Sequence, residues 1–179
     1  MSQAPASNLL ERTPPQSIQA ERCLLGSMIL DSACIGDVIQ VMQGEHFVRE
    51  SHQVLYQTLV EMYDRGEGTG IDLVTLRDTL DRQKLLDAVG GIEAVVELVE
   101  SVPSADHAMY YAGIVRDKFL LRCLIQTSTE VLREAFDASD DPAATLDRCE
   151  QKIYQLAEQH AGGGAVELKA LLDEVYETI

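Results

Sequence analysis

Four histidines and four cysteines are the residues best suited to metal or nucleophilic chemistry, and their spacing argues against both. His46, His52, His107 and His160 form no HExxH-type pair, the arrangement that sets two imidazoles on one helical face for zinc. His46 and His52 lie near each other in the chain, at a spacing that reads as structural. Cys23, Cys34, Cys123 and Cys149 make no CxxC pair. Each sits in an apolar helical pattern and reads as a small buried hydrophobe outside any disulfide framework. ATP binding calls for GxxxxGK followed by Ser or Thr, in which backbone N–H groups cradle phosphates and the lysine meets their charge. Neither Gly66–Gly70 nor Gly162–Gly164 supplies it, and Lys169, the nearest lysine after the triplet, has no hydroxyl residue behind it. There is no GxSxG elbow, and Asp140-Asp141 reads as charge at a helix start. The expectation is a chain with no catalytic, cofactor-binding or metal-binding residue of its own.

Charge narrows the classes further. Thirty acidic residues against 14 basic ones give a formal charge of −16. Such a chain repels a phosphate backbone, because non-specific nucleic-acid binding depends on Lys and Arg displacing counterions. The basic residues are scattered without a stripe or cluster. The acidity reads as a solvated surface, with an acidic docking face for a basic partner as the sharper alternative. No run approaches the roughly 20 apolar residues of a membrane span, and MSQAPASNLLERTPPQ lacks the basic start and apolar run of a secretory signal. A cytoplasmic location and no membrane partner are expected.

The elements around these residues carry the helical period almost throughout. Residues 1–16 read as a flexible tail ending at Pro14-Pro15. Ser17 suits an N-cap for a first helix with Leu24, Leu25, Met28 and Ile29 inward. A short second helix turns Ile35, Val38, Ile39 and Met42 inward, Gly44 breaks it, and Phe47 drops into the core. A third helix starts near Ser51, runs through Leu55, Tyr56, Leu59 and Met62 or Tyr63, and ends at Arg65-Gly66. Asp72 caps a short helix with Leu73, Leu76 and Leu80. Gly90-Gly91 then separates it from Ile92–Val102, which Pro103 ends. The spacing predicts an all-α fold with a compact head of short helices over 17–103.

Beyond Pro103 the pattern predicts one long helix from Ser104 to about Phe136, and a second after Pro142, forming an antiparallel hairpin over 104–160. Phe119 to Ile125 is apolar nearly all round, so that helix needs more than one partner. Leu146, Cys149, Ile153 and Leu156, spaced 3, 4 and 3, read as a seam of coiled-coil type. Leu120, Leu124, Ile125, Leu146, Ile153 and Leu156 are the expected hairpin and subunit contacts. A second subunit is favoured as cover for the surplus, and the head packing along that face is the alternative. Residues 161–179 read as a glycine joint and a linker helix with Leu168, Leu171, Leu172 and Val175 on its docking face. An isolated amphipathic helix of about 14 residues is marginal in water, so the chain reads as part of a longer one.

Taken in order, these pieces resemble the N-terminal domain of DnaB-type replicative DNA helicases. The resemblance rests on PPQSIQAERCLLGSMILD with Glu21 and Leu25-Gly26, and on Phe47 and His52 ahead of QVLYQTLVEMYDRG. It continues through IDLVTLRDTL, the VGG turn at Val89–Gly91, and YAGIVRDKFLLRCLI. It covers Pro14 to Leu156; where the family commonly has asparagine before the Tyr-Ala pair, this chain has His107. The resemblance implies a helical head, hairpins that pair between adjacent subunits, and a hexameric collar above RecA-like motor domains. It implies that ATP, magnesium and DNA belong to a motor domain after the linker helix, and that the chain alone is not an enzyme. Primase docks on such collars, and helicase loaders tend to engage the linker or motor side. A free-standing helical adaptor that regulates a helicase is the competing reading.

Overall fold

The computed structural model describes residues 12–66, 71–137 and 141–160. Among them there are seven α-helices and no strand: α1 (Ile18–Leu30), α2 (Ile35–Val41), α3 (Glu50–Asp64), α4 (Leu73–Arg82), α5 (Gly91–Glu100), α6 (Ala108–Asp137) and α7 (Pro142–His160). Two compact units divide the chain between Phe119 and Leu120, inside α6. The division lies beyond Ser104 because Ala108, Ala112 and Val115 of α6 are buried in the core of the first unit.

In the first unit α1 is the central element. The Ser17 hydroxyl accepts the Ala20 N–H and starts it, as an N-cap should. From Ala20 to Ile29 only Arg22 escapes burial, so this helix is enclosed on nearly every side. It packs against α3 and α5. Gly26 allows the approach to α5, since a Cβ there would sit 2.2 Å from the Leu98 carbonyl oxygen. Leu24, Leu25, Met28, Leu55, Leu59, Met62, Leu76 and Leu80 are the heart of the core. Each such side chain contributes about 1.5–3 kcal/mol on leaving water. Met62 is the inward residue near the end of α3 and Tyr63 only partly so; Ile39 of α2 is also half-buried.

Caps explain most boundaries. The Asp72 carboxylate accepts the Val74 and Thr75 N–H groups while the Thr75 hydroxyl accepts the Asp72 N–H, a reciprocal box that opens α4. Gly66 and Gly90 take positive φ at the end of α3 and the start of α5. The long helix does not begin at Ser104. Its hydroxyl accepts the Asp106 N–H and bonds the Asp106 carboxylate, closing a 3₁₀ turn over Ala105–His107 before α6 starts at Ala108. A short polar side chain has outcompeted helix by bonding its own backbone.

The second unit holds the end of α6 and α7, which run antiparallel. Lys152 of α7 meets Glu130 at 3.7 Å and also pairs with Glu134, both on α6. Pro142 takes the first helical position of α7, where its missing N–H costs nothing. The glycine joint and the linker residues Leu168, Leu171, Leu172 and Val175 lie outside the described residues, as do residues 67–70 and the first 11 residues of the tail.

Candidate assembly surface

Several buried polar groups of the first unit are engaged with one another. The carboxylate of Glu21, 1% exposed, receives the Val48 N–H at 2.9 Å and lies 2.6 Å from His52 Nδ1. This acid–imidazole pair is buried and ties α1 to α3 and to the segment before it. Phe47 packs beside it, its ring 6.5 Å from that of His52 and 5.2 Å from that of Tyr56. The Tyr56 hydroxyl donates to the Met42 carbonyl, and burial pushes its pKa up to about 12. His46 accepts the Gln43 N–H and stacks on Phe119, with ring centroids 4.5 Å apart. His107 is exposed on its 3₁₀ turn. Among the described residues no group of three His, Cys, Asp or Glu could hold a metal.

The cysteines depart from expectation. Only Cys23 is fully buried; Cys34, Cys123 and Cys149 are half-buried. Partial burial and the neighbouring Asp31 push the Cys34 thiol up to about 11, which keeps it protonated and unreactive.

Chemistry of a different kind resides in the second unit. Its less exposed positions on α6 include Cys123, Thr127, Glu130, Val131 and Glu134, which recur at three- and four-residue intervals. On α7 they are Thr145, Cys149, Lys152 and Leu156, at intervals of 4, 3 and 4. Lys152 between Glu130 and Glu134 lies at the centre of this seam. Hydrogen bonding to Glu134 raises the lysine pKa and, reciprocally, holds the Glu134 carboxyl below its usual value. The seam therefore mixes this charged bridge with Cys123, Val131, Cys149 and Leu156, and most of the large apolar side chains lie elsewhere.

That corrects the seam expected over Leu146, Cys149, Ile153 and Leu156. Cys149 and Leu156 do face inward, but Leu146 is 59% exposed and Ile153 42%. At 100° per residue the observed and expected seams differ by a rotation of about 50° around α7. The other candidate contacts are also open on this chain: Leu120, Leu124 at 43% and Ile125 at 50%. Leu121, Leu132, Phe136 and Tyr154 extend the exposed set. Leu132, Phe136 and Tyr154 are not among the contacts expected from the sequence. The recurrence of Leu121, Ile125, Leu132 and Phe136 at intervals of 4, 7 and 4 would have revealed them as one stripe. Helical geometry sets that stripe opposite the Glu130–Glu134 seam. A shallow apolar groove along α7, between Cys149, Ile153, Tyr154 and Ala157, belongs to that open surface.

With a charged bridge in its seam and most of its large apolar side chains outside, this hairpin inverts the usual order of a helix pair. Exposed contiguous apolar surface of this kind marks an interaction face.

Comparison with known proteins agrees with this architecture. Residues 13–117 match the family model described as DnaB-like helicase N terminal domain. The replicative DNA helicase DnaB of Geobacillus stearothermophilus is 34% identical over 94% of this chain, and that of Mycobacterium leprae 36% identical over 100% of this chain. The chain spans only 37% and 30% of those two proteins, about a third. The crystal structure of the N-terminal domain of DnaB helicase from Mycobacterium tuberculosis aligns over 81% of this chain and 100% of its own, with TM-score 0.73 and 37% identity. The structure of a DnaB-like replicative helicase and its interactions with primase shares the fold over 78% of this chain and 31% of its own, at TM-score 0.62 and 20% identity.

Proposed function

This chain belongs to the family of DnaB-like helicase N-terminal domains, and from that premise we propose that it is the assembly collar of a replicative DNA helicase. Its hairpins pair between neighbouring subunits of a hexamer through the open apolar face of α6 and α7. The observation that carries this reading is the inverted hairpin, whose seam holds Lys152, Glu130 and Glu134 while Leu124, Ile125, Leu146 and Ile153 face outward. Burying those side chains against a second copy supplies the hydrophobic gain that the seam does not.

Unwinding and ATP hydrolysis are assigned to a motor domain of the same polypeptide, beyond the residues described, in a cytoplasmic protein. The described residues do not fit a nucleotide. Among them the one glycine pair that opens a helix is Gly90-Gly91, where a Gly91 Cβ would meet the Glu93 carboxylate at 3.0 Å. A carboxylate over that N-terminus opposes phosphate, and ATP with magnesium is left to the motor. Primase is the partner proposed for the collar, by likeness to the DnaB-like helicase characterised with primase; a helicase loader would engage the linker or motor side, and DNA the motor.

Light scattering of the chain beside its Ile153→Asp variant tests the assembly reading. The expected result is concentration-dependent association of the parent, loss of it in the variant, and equal helicity in both. Equal masses at every concentration would refute it.

A further inference from the structure

The hairpin has two ways to seat α7 against α6, and the amino-acid pattern favours the one not adopted. Seating Leu146, Cys149, Ile153 and Leu156 inward would fill the seam with apolar side chains and satisfy the hairpin within one chain. Seating Thr145, Cys149, Lys152 and Leu156 inward leaves Leu146 and Ile153 on the open face. The two differ by about 50° of rotation around α7, well under one residue step. Something must hold α7 in the less apolar of them.

We propose that Lys152, through its bridge to Glu130 and Glu134, sets the rotation of α7 and so keeps Leu146 and Ile153 available for a second copy of the chain. The inference rests on the assembly reading above. Glu130 and Glu134 stand one helical turn apart on α6, so both carboxylates reach the one ammonium group. Lys152 retains about a third of its side-chain exposure in this position, as do its two partners or slightly more. The pairing therefore adds little to stability by itself. Its value is selective. Rotating α7 to bury Ile153 would draw Lys152 away from both carboxylates and leave their charges facing an apolar seam. A single polar seam residue that fixes helix register at some expense of stability is a known device of paired helices. Here it fixes rotation, and with it which face is offered for assembly. Among the described residues Cys149 also acts on Lys152 and Arg148 on Glu134, and neither is a carboxylate.

The test uses the full chain and the Lys152→Met variant, which keeps the stem and removes the charge. Sedimentation equilibrium reads association, and thermal unfolding at a dilution where the chain is monomeric reads the hairpin alone. Opposite signs are expected. Association should weaken at least tenfold as Leu146 and Ile153 turn inward, and the monomer midpoint should hold or rise. Lys152→Arg should restore parental association. Unchanged association in Lys152→Met overturns the proposal, and so does lost association with lost helicity, which would make Lys152 only a staple. Ile153→Asp measured in parallel separates the two readings. If Ile153→Asp also leaves association untouched, the assembly reading fails; if it abolishes association while Lys152→Met does not, only the rotation proposal fails.

Discussion

Glu21 Oε2 lies 2.6 Å from His52 Nδ1, across 31 residues of chain and with both side chains buried. The other oxygen of the same carboxylate holds the Val48 N–H, so one side chain ties three segments of the first unit. Glu21→Ala leaves a buried imidazole nitrogen and the part-buried Val48 N–H without their partner. Loss of a shared buried partner of this kind costs about 3–5 kcal/mol. Urea unfolding should show it, and His52→Ala combined with Glu21→Ala should cost clearly less than the sum of the two. Additive costs would mean that the contact carries no coupling.

Two glycines should respond with opposite signs. Gly26→Ala drives a methyl into the Leu98 carbonyl and the Val102 side chain, and should cost about 3 kcal/mol or more. Gly113 lies within α6 with nothing within 4 Å of its Cβ position, so Gly113→Ala should add up to about 1 kcal/mol through helix propensity. Thermal unfolding midpoints that moved in the same direction would contradict the packing described for α1 and α5.

Lys84 is the non-glycine residue of positive φ among those described, at +60°. It follows α4 where the Leu85 N–H returns to the Leu80 carbonyl, a helix end that normally employs glycine. Lys84→Gly should therefore stabilise the protein by about 0.5–1 kcal/mol despite the added freedom of the unfolded chain. A loss of stability on urea unfolding would show that this end is not under strain.

Much of the first unit was legible because its signals are local. Ser17 and Asp72 cap helices by bonding N–H groups two or three residues on, and Phe47 is the bulky apolar residue of its loop. The Glu21–His52 tie was not legible, since no periodicity relates residues that far apart. The turn at Ser104 was missed because a proline-bounded apolar pattern continues through it, and only the Ser104–Asp106 bonds stop the helix there. The rotation of α7 was misread for a different reason. Hydrophobic spacing finds the most apolar seam available, and it cannot tell a seam within one chain from a face kept for a second chain.

The pH dependence of the Lys152 bridge follows from the two shifts at the seam. Glu134 titrates below its ordinary 4.5 when folded, so its contribution is complete above that value and disappears as pH falls through the lower folded one. Lys152 titrates above its ordinary 10.5, so its contribution is complete below that value and disappears as pH rises through the higher folded one. Between these limits the bridge is intact. An NMR titration of the Glu134 carboxyl should give a midpoint below the ordinary value that Lys152→Met moves upward. A midpoint indifferent to Lys152→Met would remove the bridge from the account.

The most direct test of the central claim is photo-cross-linking from a benzophenone side chain placed at Ile153, with the exposed Arg77 on α4 as control position. If the open face of the hairpin receives a second copy, irradiation at Ile153 yields a product of twice the chain mass, and irradiation at Arg77 does not. Product of single mass only from Ile153, at concentrations where the parent associates, would place the subunit contact elsewhere and contradict the account.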